Sequence, residues 1–222
     1  MSSPIQSDLY ICEDVQLVID LFSPIFEEDW WDEPISENLN SMSERLLWSY
    51  NKNDVSALVL IKNHAPIADY QNFSKKLTID DTRDIVSKDH GYGSWKDVLE
   101  LKNKKPDTIF ELAVDCLIHG QKEDLVEVIK SNKSLLSARS AYGHNCTLLG
   151  YIAANGVELR RQITPLNLVS ITEDLLKLGA DPKETIPVYD KNCSVSELVE
   201  TSAHPRQAGL AKDLLALLAR CV

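Results

Sequence analysis

The sequence predicts an all-α protein: a row of helix pairs behind an N-terminal helical extension. Three observations carry that prediction. Apolar residues recur at helical spacing in stretch after stretch, as in Phe110, Ala113, Val114, Leu117 and Ile118. Helix starts are marked by oxygen-bearing caps with an acid three residues on, Thr78 with Asp81 and Ser94 with Asp97. Glycines close several of these stretches, at Gly91, Gly120, Gly156 and Gly179, where a left-handed residue ends a helix at no steric cost.

The chain has 222 residues, 44% hydrophobic and 26% charged, which is the composition of a soluble globular protein with one sizeable core or two modest ones. Its formal net charge of −11 is unevenly placed. Residues 1–50 hold eleven acids against a single base, Arg45, while the remainder is nearly neutral. Such a chain is repelled by phosphate backbones and by anionic lipid, so nucleic acid and membrane are poor partners. Five scattered cysteines with no CxxC spacing read as free thiols, buried in a reducing compartment. The start of the chain lacks a basic segment followed by an apolar run, and a cytoplasmic protein is expected.

Taken in order, residues 1–42 form an acidic N-terminal segment. Its apolar run from Val15 to Phe22 fits a buried helix or a strand, and periodicity does not arbitrate. Glu27, Glu28 and Asp29 precede Trp30 and Trp31. Either the indoles fold back onto the helical body while the acids stay in water, or the group is an acidic-aromatic arm for a basic groove on a partner.

Residues 43–105 read as an N-terminal helical region. Leu46, Leu47 and Tyr50 share one face, a polar turn from Asn51 to Asp54 follows, and Val55, Leu58, Val59 and Ile61 resume before Pro66. The capped helices after Thr78 and Ser94 come next. Lys102 to Pro106 is a charged connector, most simply solvated.

Residues 106–222 read as about three helix pairs, two of them with insertions. Asp107 caps the first helix, which Gly120 ends, and Leu125, Val126, Val128 and Ile129 mark its mate. Thr147 opens the second pair and Asn155-Gly156 closes its first helix. An insertion from Val157 to Val169 follows, and then a helix from about Thr172 carries Leu175, Leu176 and Leu178 to Gly179. The third has a turn at residues 189–192, a helix from Val195 to Thr201, an insertion at residues 203–206 and a last helix from Leu210 to Ala219. Leu210, Leu214, Leu215, Leu217, Leu218 and Val222 leave that helix little polar surface. The N-terminal segment, a second copy giving a homodimer, or a partner should cover it.

These pairs resemble a divergent bacterial ankyrin-repeat family. The likeness is densest in Ala153-Ala154-Asn155-Gly156-Val157-Glu158, Arg161-Gln162-Ile163-Thr164-Pro165, Leu178-Gly179-Ala180-Asp181 and Thr201-Ser202-Ala203-His204-Pro205. The stretch His90-Gly91-Tyr92-Gly93-Ser94-Trp95 is similar to a helical segment that precedes the repeats in such proteins. The resemblance covers roughly residues 44–220. No unit keeps an unbroken Thr-Pro-Leu-His. It implies an ankyrin-like solenoid that recognises a protein through its concave face, without catalysis. The expected partner-binding residues are Tyr142, His144 and Asn145 on one tip and Tyr189, Asp190 and Asn192 on the next, with the tyrosines favoured because aromatic side chains dominate interface energetics. Arg160 and Arg161 either clamp an acidic group, or one of them braces the insertion while Glu158 pairs locally.

No enzyme, cofactor or metal site is expected. His64, His90, His119, His144 and His204 form no HExxH or Cys/His cluster, and G-x-S-x-G, P-loop and G-x-G-x-x-G motifs are absent from the sequence. His90 and His119, each just before a helix-ending glycine, should bond to terminal carbonyls. The runner-up to a protein adaptor is an inhibitor or immunity-type protein whose acidic segment blocks a basic site on a partner.

Overall fold

The computed structural model describes residues 8–26, 30–65, 68–188 and 191–220. Among the described residues the chain is mostly helical, with thirteen α-helices and four short strands in two antiparallel pairs. The undecided apolar run is a helix. A short strand β1 (Leu9–Tyr10) leads into α1 (Glu13–Phe22), which buries Val15, Val18, Leu21 and Phe22.

A longer helix follows, α2 (Ile35–Asn51), and runs through the boundary expected at residues 42 and 43. Ile35, Leu39, Met42 and Leu46 form one continuous buried stripe along it. The serines, asparagines and acids between them hide that stripe in the sequence. Then come α3 (Ser56–His64), α4 (Ala68–Gln71), α5 (Ile79–Asp89) and α6 (Trp95–Glu100). Thr78 and Ser94 form capping boxes with Asp81 and Asp97, as their spacing requires. The basic connector is tied back at its middle, because the Ile35 amide donates to the Lys104 carbonyl at 2.9 Å.

The rest of the chain holds the three stretches read from the sequence as helix pairs. The first is α7 (Thr108–Ile118) with α8 (Lys122–Ser131); Asp107 caps α7 by accepting the Ile109 and Phe110 amides. The second holds α9 (Leu148–Tyr151) and α10 (Leu168–Leu178), with β2 (Thr164–Pro165) in the insertion between them. A hairpin of β3 (Thr185–Val188) and β4 (Lys191–Ser194) leads to α11 (Val195–Thr201), the short α12 (Ala203–Gln207) and α13 (Ala211–Arg220). Helix α7 contacts α9, α8 contacts α10, and α10 contacts α13.

Three expectations are corrected here. The first helix of the second pair is a single turn, and the chain leaves it before Ala154, which takes left-handed backbone with φ of 44°. Its mate begins at Leu168, and Thr172 lies inside it with its hydroxyl bonded to the Leu168 carbonyl at 2.8 Å. Lys191 and Asn192, expected in a turn, are strand residues of β4.

The N-terminal segment is part of the core. Helix α1 packs on α2, α3 and the helical turn at Leu159–Arg161, while β1 pairs with β2 through Leu9–Pro165 and Tyr10–Thr164. Helix α13 is covered by α10, α11 and α12; Leu214 and Leu218 are buried, and Leu215 and Leu217 remain half-buried.

Candidate binding groove and the ion network behind it

Helix α7 places Glu111 and Asp115 one turn apart, facing the insertion of the second pair. Arg161, on the insertion's helical turn, reaches all three nearby carboxylates. It bonds Glu111, meets Glu158 at 3.1 Å and meets Asp115 at 2.9 Å. Arg161, Glu158 and Glu111 are fully buried. Ser140 donates to the other Glu111 oxygen at 2.8 Å, and the Tyr151 hydroxyl lies 3.3 Å from both Glu158 oxygens. Burial, with the Glu158 charge beside it, raises the Glu111 carboxyl above its ordinary value despite Arg161. Burial would raise Glu158 too, but Arg161, His90 and Arg160 outweigh it and hold Glu158 low. The bracing role considered for one of the two arginines is therefore Arg161's, and Glu158 pairs locally.

The neighbouring aromatic residues close over this network. Tyr142, expected on an exposed tip, is 0% exposed. Ser140 Oγ accepts the amides of Tyr142 and Gly143 at 3.1 and 2.8 Å, which turns the loop inward and drives the ring between Trp31, at 5.3 Å, and His90, at 5.0 Å. Burial pushes its hydroxyl up to about 12. Arg161 is equally inaccessible, and its guanidinium lies 5.1 Å from the Trp31 ring centre. Arg160 is half-buried over Phe26 at 4.7 Å. Trp30 is 7% exposed, so the indoles pack on the helical body and do not form a free arm. Neither Tyr142 nor Arg161 can touch a partner from where it sits. Glu27, Glu28, Asp29, Tyr189 and Asp190 lie outside the described residues, as do Pro66, Cys221 and Val222.

On the solvent side of the network the chain forms an open groove of about 1090 Å³. One wall is the adjoining ends of α3 and α5, with Asn63, His64, Lys88 and Asp89. The facing wall is the β3–β4 hairpin, with Pro187, Val188, Lys191 and Asn192. Val157, Leu159 and Gln162 of the insertion line it between them, with His144. Asp89 is the hinge of this arrangement. Its Oδ1 accepts from His64 Nε2 at 3.1 Å and from the Leu159 amide at 3.2 Å, and its carbonyl accepts His144 Nε2–H at 2.8 Å. Burial would raise the Asp89 carboxyl, but the bond from His64 and the positive ends of His90, His64 and His144 leave it lowered.

Comparison with protein-family models, curated proteins and solved structures returns no match to this chain.

The groove must be read from its own residues. Of the exposed tip residues expected to meet a partner, His144 and Asn192 line it; Asn145 is exposed beside it. His144 and Asn145 both adopt left-handed backbone, with φ of 50°. No described lining residue is Ser, Thr or Cys, and the Tyr92 hydroxyl is committed to the Ala141 carbonyl and pushed up to about 12 by burial. His90 and His119 bond the Val86 and Asp115 carbonyls at 3.0 and 2.8 Å, in the helix-terminal role expected of them. Among the described residues no cluster of three His, Cys, Asp or Glu is placed to hold a metal ion, and no helix is long and apolar enough to cross a membrane.

Sequence spacing missed the His64–Asp89 pair, since 25 positions separate two helix-end residues that only the packing of α3 on α5 brings together. A second, acidic groove of about 810 Å³ on the α1–α2 side is lined by Glu33, Glu37, Glu44, Trp30 and Trp48, with Arg45 the one base among its described lining residues.

Proposed function

We propose that the chain is a non-catalytic, cytoplasmic protein-recognition module of the divergent bacterial ankyrin-repeat type, which receives a protein partner in the groove between the α3–α5 ends and the β3–β4 hairpin. The observation that carries this reading is the groove itself. It lies beside the row of helix pairs, and a hairpin between two pairs forms one wall. Buried bonds through Asp89 tie the α3–α5 wall to the insertion, so little ordering entropy is lost on that side when a partner docks. Cys116, Cys146 and Cys193, free and buried, fit a reducing compartment.

A second reading, an acidic inhibitor that blocks a basic site, is favoured by the groove bearing Glu33, Glu37 and Glu44. Affinity capture from an extract of the source cells separates the two. Asn192→Trp fills the first groove, and Glu33→Lys/Glu37→Lys/Glu44→Lys reverses the second; the substituted side chains are exposed, so the fold should survive. Loss of the captured partner in Asn192→Trp alone supports the module reading. Loss only in the triple variant and in high salt supports the inhibitor. Retention by both variants removes both readings.

A further inference from the structure

We propose that the groove takes an extended acidic segment of its partner, with an apolar side chain seated between carboxylates. This rests on the groove being the partner site. The chain as a whole carries −11, yet the rims of this groove carry cations. Lys88 stands exposed on one wall and Lys191 on the other, and half-buried His64 and His144 lie between them. The one acid among the described lining residues, Asp89, is buried: its Oδ1 is bonded to His64 and the Leu159 amide, and its Oδ2, without a hydrogen-bond partner, is closed off from solvent.

Two further features set the class of ligand. Val157 and Leu159 of the insertion, with Pro187 and Val188 of the hairpin wall, give the groove an apolar lining, which suits one hydrophobic side chain. Asn63 and Asn192 on the rims offer amide donors and acceptors of the kind that pair with an extended backbone. The volume of about 1090 Å³ lies just above the usual range for a small-molecule pocket, and the groove opens to solvent. A peptide segment fits that shape better than a compact metabolite. A basic peptide would meet like charge at both rims, so the lysines also select against the wrong partner.

The test uses the full chain and fluorescence anisotropy with three labelled probes: a short peptide of Glu and Asp around a central Leu, the same peptide with Lys at every acid, and a short oligothymidylate. The acidic peptide should bind and the lysine peptide should not. Lys88→Glu/Lys191→Glu, at two exposed positions, should weaken the acidic peptide roughly tenfold, and added salt should weaken it further. Failure of the acidic peptide to bind, or equal binding to the double variant, would overturn the proposal. So would an oligothymidylate that binds as tightly and competes, because phosphate would then be the recognised anion. The captured partner separates this claim from the one beneath it. If Asn192→Trp loses that partner and Lys88→Glu/Lys191→Glu keeps it, the acidic class is wrong and the groove remains the site. If both variants keep it, the groove reading itself falls.

Discussion

Arg161 and Glu158, three positions apart on the insertion of the second helix pair, meet at 3.1 Å with neither side chain exposed to water. The same guanidinium bonds Glu111 and Asp115 on α7, so a single side chain fastens the insertion to the first pair. Removing one member of a buried charge cluster strands the others, which is why its cost exceeds the net worth of the pairing.

Arg161→Ala should therefore lower unfolding free energy by about 3–5 kcal/mol, read from urea denaturation. Arg161→Lys should rescue only part of it, because a point charge cannot span three carboxylates as a planar fork does. A loss of less than about 1 kcal/mol would mean the network is not closed in solution.

Gly143 lies against the same carboxylate. A Cβ there would overlap Glu158 Oε2, so Gly143→Ala must push Glu158 out of its bond to Arg161. The expected cost is about 1–3 kcal/mol. Gly209, at φ 78° with nothing within 4 Å of a built Cβ, is the control. Gly209→Ala should show only the left-handed backbone penalty of about 1 kcal/mol. Thermal melts of the two variants decide the matter.

Tyr142→Phe removes a buried hydroxyl that meets the Met42 sulfur at 3.4 Å and bonds Arg160, and should leave partner capture unchanged. Tyr142→Ala should cost about 3–5 kcal/mol through the cavity it leaves. Reduced capture by a Tyr142→Phe protein with wild-type stability would return that ring to an exposed tip.

Stability should also fall on mild acidification. Desolvation lowers the buried His90 imidazole below its ordinary value of 6.5, although Asp89, Glu158 and the Val86 carbonyl favour the proton; Arg160 adds to the lowering. The unfolded chain then binds a proton that the native state refuses. Stability from this group is complete above pH 6.5 and is lost as pH falls from there toward the lowered native value, with a slope approaching about 1.4 kcal/mol per pH unit. His204, also lowered by burial, acts in the same direction. Urea midpoints between pH 7 and 5 should slope less in His90→Gln/His204→Gln than in the parent.

Much of the helical framework was legible in the residues. Thr78, Ser94 and Asp107 cap helices where their spacing placed them, and α11 occupies the span read from Val195 to Thr201. These signals are local: a side-chain oxygen and an amide three residues on find each other whatever the rest of the chain does. The hairpin of β3 and β4 was not legible, because four-residue strands carrying Pro187 and Asn192 leave too little alternation to read. The early start of α2 was hidden by the polar residues between its buried positions.

The sequence by itself determined that the chain is mostly helical, where the capped helices after Thr78, Ser94 and Asp107 begin, and that the acids crowd into the first quarter. Only the tertiary structure decided what those charges and rings are for. It turned Tyr142, Trp30 and Arg161 inward and brought His64 to Asp89. It set Lys88 across a groove from Lys191. The reason is physical. A cap or a helical stripe is fixed by neighbours three or four residues away, whereas burial and charge pairing depend on which distant surface arrives, and no local pattern encodes that arrival.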